Sequence, residues 1–130
     1  MPLKSLYRLA DKGDLFAMLQ LGEQYYSEPL ELESDPDFDV RLPPRQIGLQ
    51  YLQDAALAGH VHVGLIVANK YMETNQPDEA YAWARLAQSL GDQSAAQPAR
   101  QMLAGLTADQ LKSANARFDD LHFRATARFN

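Results

Sequence analysis

Three histidines, seventeen carboxylates and no cysteine set the chemistry open to this 130-residue chain. Without a thiol there is no cysteine nucleophile and no disulfide framework, a usage that fits a reducing compartment. His60 and His62 stand two apart at an expected helix start, so they point to different faces. Helical metal ligands want a spacing of four, as in H-E-x-x-H. Zinc also needs at least three convergent ligands, and no third lies close in sequence. The expectation is no metal and no cofactor, with both histidines as turn and surface residues. Glu23, Asp54, Glu73, Asp78 and Glu79 could do general acid–base work if two shared a cleft. Their positions are those of solvated helix faces. No G-x-S-x-G elbow, P-loop or glycine-rich turn after a strand occurs, and serine, histidine and aspartate show no triad spacing. The expected set of catalytic residues is empty.

Composition narrows the partners. The formal charge of −5 argues against a nucleic acid or an anionic membrane, which would call for a basic patch. Hydrophobic content of 46% and charged content of 22% are ordinary for a soluble domain with a real core. Lys4, Arg8 and Asp11 interrupt the N-terminus before a signal-peptide core could form. No apolar run reaches the ~18 residues of a membrane span. The expected location is the cytoplasm; a mature form without an exported leader would read the same way.

The positioning elements show themselves as a repeat. Gly13, Gly59 and Gly91 are followed four residues later by Ala17, Val63 and Ala95, and eight later by Leu21, Val67 and Ala99. Tyr25 and Tyr71 stand twelve after the first two. Leu9-Ala10, Ala55-Ala56 and Ala87-Gln88 precede the glycines, and Tyr51 and Trp83 stand eight before the second and third. Each glycine suits the left-handed residue that ends a helix. The small residues before it admit a close partner helix, the aromatic fills space between units, and the i, i+4, i+8 stripe is the buried face of the next helix.

These positions resemble the Sel1-like repeat, a helix-turn-helix relative of the tetratricopeptide repeat, with a pattern near A-x-x-W-x-x-x-A-A-x-x-G-x-x-x-A-x-x-x-L-G-x-x-Y. Ala17, Leu21, Gly22 and Tyr25 match its second half. Gly48, Tyr51, Ala55, Ala56 and Gly59 match its first half, with glycine for alanine and tyrosine for tryptophan. Ala80, Trp83, Ala87 and Gly91 match again, and Val63, Val67, Ala68 and Tyr71 form a degenerate copy. The likeness spans about residues 2 to 104. It implies an all-α, right-handed superhelix of stacked helical hairpins. The family's G-x-G-V-x-x-D loop is missing from both copies: the loop after Tyr25 is enlarged and the one after Tyr71 shortened, so the glycine spacings are 46 and 32.

The expected organisation is one repeat domain: a half repeat at 2–13, a first unit at 14–59 with an enlarged loop at 27–45, a second unit at 60–91, then a third motif helix and a capping helix within 92–130. The expected helices cover 2–12, 14–27, 44–58, 60–73, 77–90, 92–104 and about 107–127. Asp92 is a candidate N-cap, and Pro98 predicts a late start or a kink in the sixth helix. Thr107 and Gln110 form a capping box. The last helix, with its stripe Leu111, Ala114, Phe118 and Leu121, closes the stack as arrays require. The loop carries six acids and four prolines, is not expected to be helical, and is pinned by Leu30, Phe38 and Leu42. It is either a solvated connection or a lid or recognition arm over one face.

A helical wheel with Ala17, Leu21, Gly22 and Tyr25 packed puts Phe16, Leu19, Gln20 and Glu23 opposite. The next copy puts His62, Leu65, Ile66 and Asn69 there, with Lys70 beside them. In stacks of this kind those faces are concave. Phe16, Leu19, Leu65 and Ile66 would then be apolar where solvent is expected: either they contact the terminal helix or the acidic loop, or, with Gln20, Asn69 and Lys70 as a polar rim, they form a groove for a peptide or helix. The expected function is a non-catalytic adaptor or scaffold, bacterial by resemblance, whose partner is another protein or peptide. Its rivals are a self-associating structural protein and an enzyme or enzyme inhibitor with a site grafted into the groove.

Overall fold

Proline at the start and a left-handed residue just past the end delimit three of the helices. A computed structural model describes residues 2–127, in which there is no strand. The seven α-helices among these residues are α1 (Leu3–Asp11), α2 (Leu15–Ser27), α3 (Pro44–Leu57), α4 (Val63–Glu73), α5 (Pro77–Ser89), α6 (Ala96–Ala104) and α7 (Ala108–Ala127). Pro44 and Pro77 occupy first-turn positions, where no intrahelical N–H is lost. Gly13, Gly59 and Gly91 follow α1, α3 and α5 with φ of +82°, +110° and +113°, the corners expected of them. Asn75, at φ +59°, performs the same turn after α4: the Gln76 N–H donates to the Tyr71 carbonyl at 2.9 Å. Asparagine is among the side chains that tolerate this conformation.

Two starts differ from expectation. α4 begins at Val63 rather than 60, because His60-Val61-His62 form a turn whose carbonyls at His60 and Val61 accept the N–H groups of Val63 and Gly64. Asp92 caps a short 3₁₀ turn, Gln93–Ala95, through the Ser94 N–H at 3.0 Å, so α6 begins at Ala96. That late start places Pro98 third in α6, among the N–H groups a helix cannot pair. The capping box at α7 is complete: the Thr107 hydroxyl accepts the Gln110 N–H at 3.1 Å, and the Gln110 side chain accepts the Thr107 N–H at 2.9 Å.

Neighbouring helices pack in sequence order, and their contacts divide the chain into two compact units, Met1–Ala58 and Gly59–Asn130. In the first, α2 lies against both α1 and α3. Its crossing with α3 is glycine on glycine. A methyl placed on Gly48 would lie 2.5 Å from both the Gly22 carbonyl oxygen and the Tyr26 nitrogen. Ala17, Leu21 and Tyr25 are fully buried along α2, and Leu52, Ala55 and Ala56 along α3.

In the second unit α5 is the shared partner of α4, α6 and α7. It is rich in alanine, and Ala80, Ala82, Ala84 and Ala87 are buried with Trp83 and Leu86. Full burial of a large apolar side chain contributes about 1.5–3 kcal/mol, so Trp83 and Leu86 anchor this layer. Gly64 makes the close approach of α4 to α5, where an added methyl would sit 3.1 Å from the Ala87 Cβ and 3.3 Å from the Trp83 carbonyl oxygen. α7 is tied to α5 by Arg117 to Glu79 at 3.1 Å, Ser113 to Asp78 at 3.1 Å, and Arg85 lying 4.0 Å above the Phe118 ring.

Candidate functional site

The enlarged loop of the first unit is folded onto α1 and α2 rather than left in solvent. After a 3₁₀ turn at Pro29–Glu31, aspartates at 35, 37 and 39 alternate along the chain. Asp35 accepts the Asp37 N–H at 2.9 Å, and Asp39 accepts the Arg41 N–H at 2.9 Å. This is the local side-chain-to-backbone turn that aspartate favours. Asp35 also accepts the Leu3 N–H at 3.0 Å, fastening the loop to the first turn of α1. Its carboxyl is held below its ordinary pKa, first by the Leu3 N–H and then by that of Asp37.

A chain of hydroxyls fastens the next stretch. The Asp39 N–H donates to the Tyr25 hydroxyl at 2.9 Å, the Tyr25 and Tyr7 hydroxyls bond to each other, and Tyr7 donates to the Asp37 carbonyl at 2.9 Å. Phe38 stacks on Tyr25 with centroids 5.4 Å apart, and Tyr25 on Tyr51 at 6.5 Å. Of the three apolar residues expected to pin the loop, Phe38 does so. Leu30 is 78% exposed and Leu42 is also exposed; buried Leu32 takes their place. The aspartate turns fix the backbone on either side of Phe38, and Leu32 is set by the 3₁₀ turn before it, a register that hydrophobicity alone does not show.

Between this loop and the helices lies an open cleft of 390 Å³, lined by Tyr7, Asp11, Asp37, Asp39, Arg41 and Tyr51. A second of 200 Å³ shares Asp39, Arg41 and Tyr51 and adds Leu42, Ile47, Gln50 and Asp54. Arg41 chelates Asp39, with Nη2 to Oδ2 at 2.6 Å and Nε to Oδ1 at 3.0 Å. The guanidinium lowers the Asp39 pKa, and Asp39 raises that of Arg41. Desolvation, then the bond to Tyr25, pushes the Tyr7 phenol far up. Tyr51 is raised to about 12 by desolvation, then by the fields of Tyr25, Asp11 and Asp39. Both phenols stay neutral at ordinary pH.

The nine residues singled out as partner-binding fall on two separate helices and the turn before one of them. On α2, Phe16 is 63% exposed, while Leu19, Gln20 and Glu23 are half-buried. The wheel assumed one packed face, but α2 has two partners, so Met18 and Tyr26 are buried beyond the expected stripe and the free arc is narrower. In the second unit His62 precedes α4 and is exposed, as is Asn69, while Leu65, Ile66 and Lys70 are half-buried. Asn69 lines a cleft of 350 Å³ with Met72, Pro98, Gln101 and Met102, between α4 and α6.

Of the carboxylates considered for acid–base work, Asp78 and Glu79 hold α7, and Asp54 edges the smaller cleft. His122 packs against Phe118 with ring centroids 5.4 Å apart. Among the described residues, no group of three or more His, Asp or Glu side chains could hold a metal ion, and no helix is long and apolar enough to cross a membrane. The sequence pattern passed over Tyr7 and Arg41. The signal that could have found them is Asp35-Pro36-Asp37-Phe38-Asp39, whose alternating aspartates mark backbone-capturing turns rather than a solvated acidic run. Compared with protein-family models, with curated proteins and with solved structures, the chain matches none.

Proposed function

We propose that the chain is a non-catalytic protein-interaction module, a right-handed superhelix of Sel1-like, tetratricopeptide-like hairpins that receives a peptide or helix of another protein. Left-handed corners after α1, α3 and α5, and small-residue crossings at Gly22 with Gly48 and at Gly64 with Ala87, support the repeat reading. The observation that carries the functional reading is the cleft between α4 and α6. Two methionines and a proline supply its apolar lining, and Asn69 and Gln101 supply amide donors and acceptors. Met72 is 45% exposed there, and neighbouring Leu103 is 39% exposed. Methionine adapts its shape to an incoming side chain, which suits a surface that seats apolar anchors. Phe16, standing out from α2, is a second apolar contact of the kind that marks interaction surfaces.

The test is capture of cellular proteins by the purified chain carrying a photoreactive residue at position 72, with position 112 on α7 as the control. A discrete adduct at 72, absent at 112 and weakened by Met72→Glu with helicity unchanged, is expected. An adduct of twice the chain's own mass would replace this reading with self-association. Capture indifferent to both Met72→Glu and Phe16→Glu would overturn it.

A further inference from the structure

The charge of the chain is not spread evenly. Residues 1–58 hold ten acidic side chains against five basic ones, and residues 59–130 hold seven of each, so the whole formal charge of −5 lies in the first unit. Most of those acids are in or beside the folded-down loop, which forms one wall of the 390 Å³ cleft. A volume of this size is in the range that holds a ligand group rather than a few waters.

The interior of the cleft has a definite sign. Arg41 is chelated by Asp39, so those two charges cancel as a pair. Asp11 and Asp37 have no ion-pair partner among the described residues and leave the cleft negative. Two of its lining residues, Tyr7 and Tyr51, are aromatic, and aromatic faces attract cations through their quadrupole. The hydroxyls of Tyr7 and Tyr25 are engaged in fastening the loop. That of Tyr51 makes no hydrogen bond among the described residues, and Tyr51 lines the cleft. Carboxylates without counterions, aromatic walls and an unengaged phenol together favour a planar or tetrahedral organic cation and reject an anion.

We propose that this cleft docks a basic segment of a partner protein, seating an arginine or lysine side chain between Tyr7 and Tyr51, with its charge on Asp11 and Asp37. The occupant is a polypeptide because the acidic loop continues the negative surface beyond the cleft, giving flanking basic residues a track that a single small cation would not use. The site is distinct from the α4–α6 cleft and goes beyond the reading given above.

The probe is a fluorescein-labelled peptide of alternating arginine and glycine, followed by anisotropy against the full chain at low and at near-physiological salt. Its glutamate counterpart and a free polyamine serve as comparisons. Asp11→Asn with Asp37→Asn is expected to weaken the arginine peptide about tenfold, and Tyr51→Phe by a smaller factor. Both aspartates are exposed and unpaired, so circular dichroism should show both variants folded. Asp109→Asn with Asp119→Asn on α7 changes the net charge equally and is expected to leave binding unaltered. Equal loss in the two double variants would reduce the effect to net charge and overturn the proposal, as would binding of the polyamine as tight as that of the peptide. Adduct formation at position 72 should be indifferent to the cleft variants, so each reading can fail alone.

Discussion

Gly48→Ala asks whether the α2–α3 crossing sets the geometry of the first unit. The added methyl would lie 2.5 Å from the Gly22 carbonyl oxygen, 2.5 Å from the Tyr26 nitrogen and 3.0 Å from the Tyr26 Cα. Ordinary contact begins near 3.4 Å, so two backbone atoms must each recede by about 0.9 Å. Backbone cannot swing aside as a side chain can; the helices must separate along a buried seam. Overpacking of this kind costs about 1–3 kcal/mol, and with rigid obstacles the upper part of that range applies. Alanine returns about 1 kcal/mol of helix propensity, leaving a net loss near 2 kcal/mol. Gly22→Ala meets mainly the Leu52 side chain, at 2.6 Å, and should lose less. Gly64→Ala meets the Ala87 Cβ at 3.1 Å, a gap of a few tenths of an ångström that propensity about offsets. Urea unfolding followed by far-UV circular dichroism reads the order, with Trp83 fluorescence reporting the second unit. A neutral or stabilising Gly48→Ala, or a Gly64→Ala that costs more, would refute the crossing.

Thr107→Ala removes one half of a capping box whose two bonds are both made, and should cost about 1 kcal/mol in the same urea titration; no change would mean α7 is held by Arg117 and Phe118 alone. Asp35→Asn tests the loop anchor through pH. The folded-state pKa of Asp35 lies below its unfolded value of 3.8, so its stabilisation is fully present above that value and is lost as pH falls through the folded pKa. Wild type should therefore exceed the variant in stability at neutral pH, and the two should converge in acid below pH 3.8. A difference that persists unchanged into acid would remove the carboxylate from the account.

The parts of the fold that were legible rest on short-range physics. Gly13, Gly59 and Gly91 are strong signals because a left-handed corner excludes most other residues, and all three have positive φ. Pro44, Pro77 and the Thr107–Gln110 box likewise act within one turn. The helix faces were less legible. A wheel gives the direction of each side chain but not the number of neighbours, so it places Leu19, Leu65 and Ile66 on the outer arc without showing that each is half-covered. The loop was least legible, because its conformation depends on pairs such as Asp35 with Leu3, or Asp39 with Tyr25, that lie far apart in the chain.

The loop also explains why the first unit's chemistry gathers where the sequence departs most from the repeat pattern it resembles. Tyr25 and Tyr51 stand at motif positions that demand only bulk, and phenylalanine would fill the same volume. The Tyr25 hydroxyl becomes useful once an added segment arrives with a backbone group to meet it. Tyr25 is completely buried, and its oxygen accepts from Asp39 and bonds to Tyr7, so the insert is fixed by the core it covers. Tyr51, one helix away, is stacked on Tyr25 and lines the cleft, with its hydroxyl making no hydrogen bond among the described residues. One aromatic is thereby committed to holding the wall and the other to facing what enters. If that division is right, Tyr25→Phe should release the loop to proteolysis, whereas Tyr51→Phe should leave it protected and alter only what the cleft binds. Equal protection in the two variants would show that Phe38 stacking, not the hydroxyl chain, holds the wall.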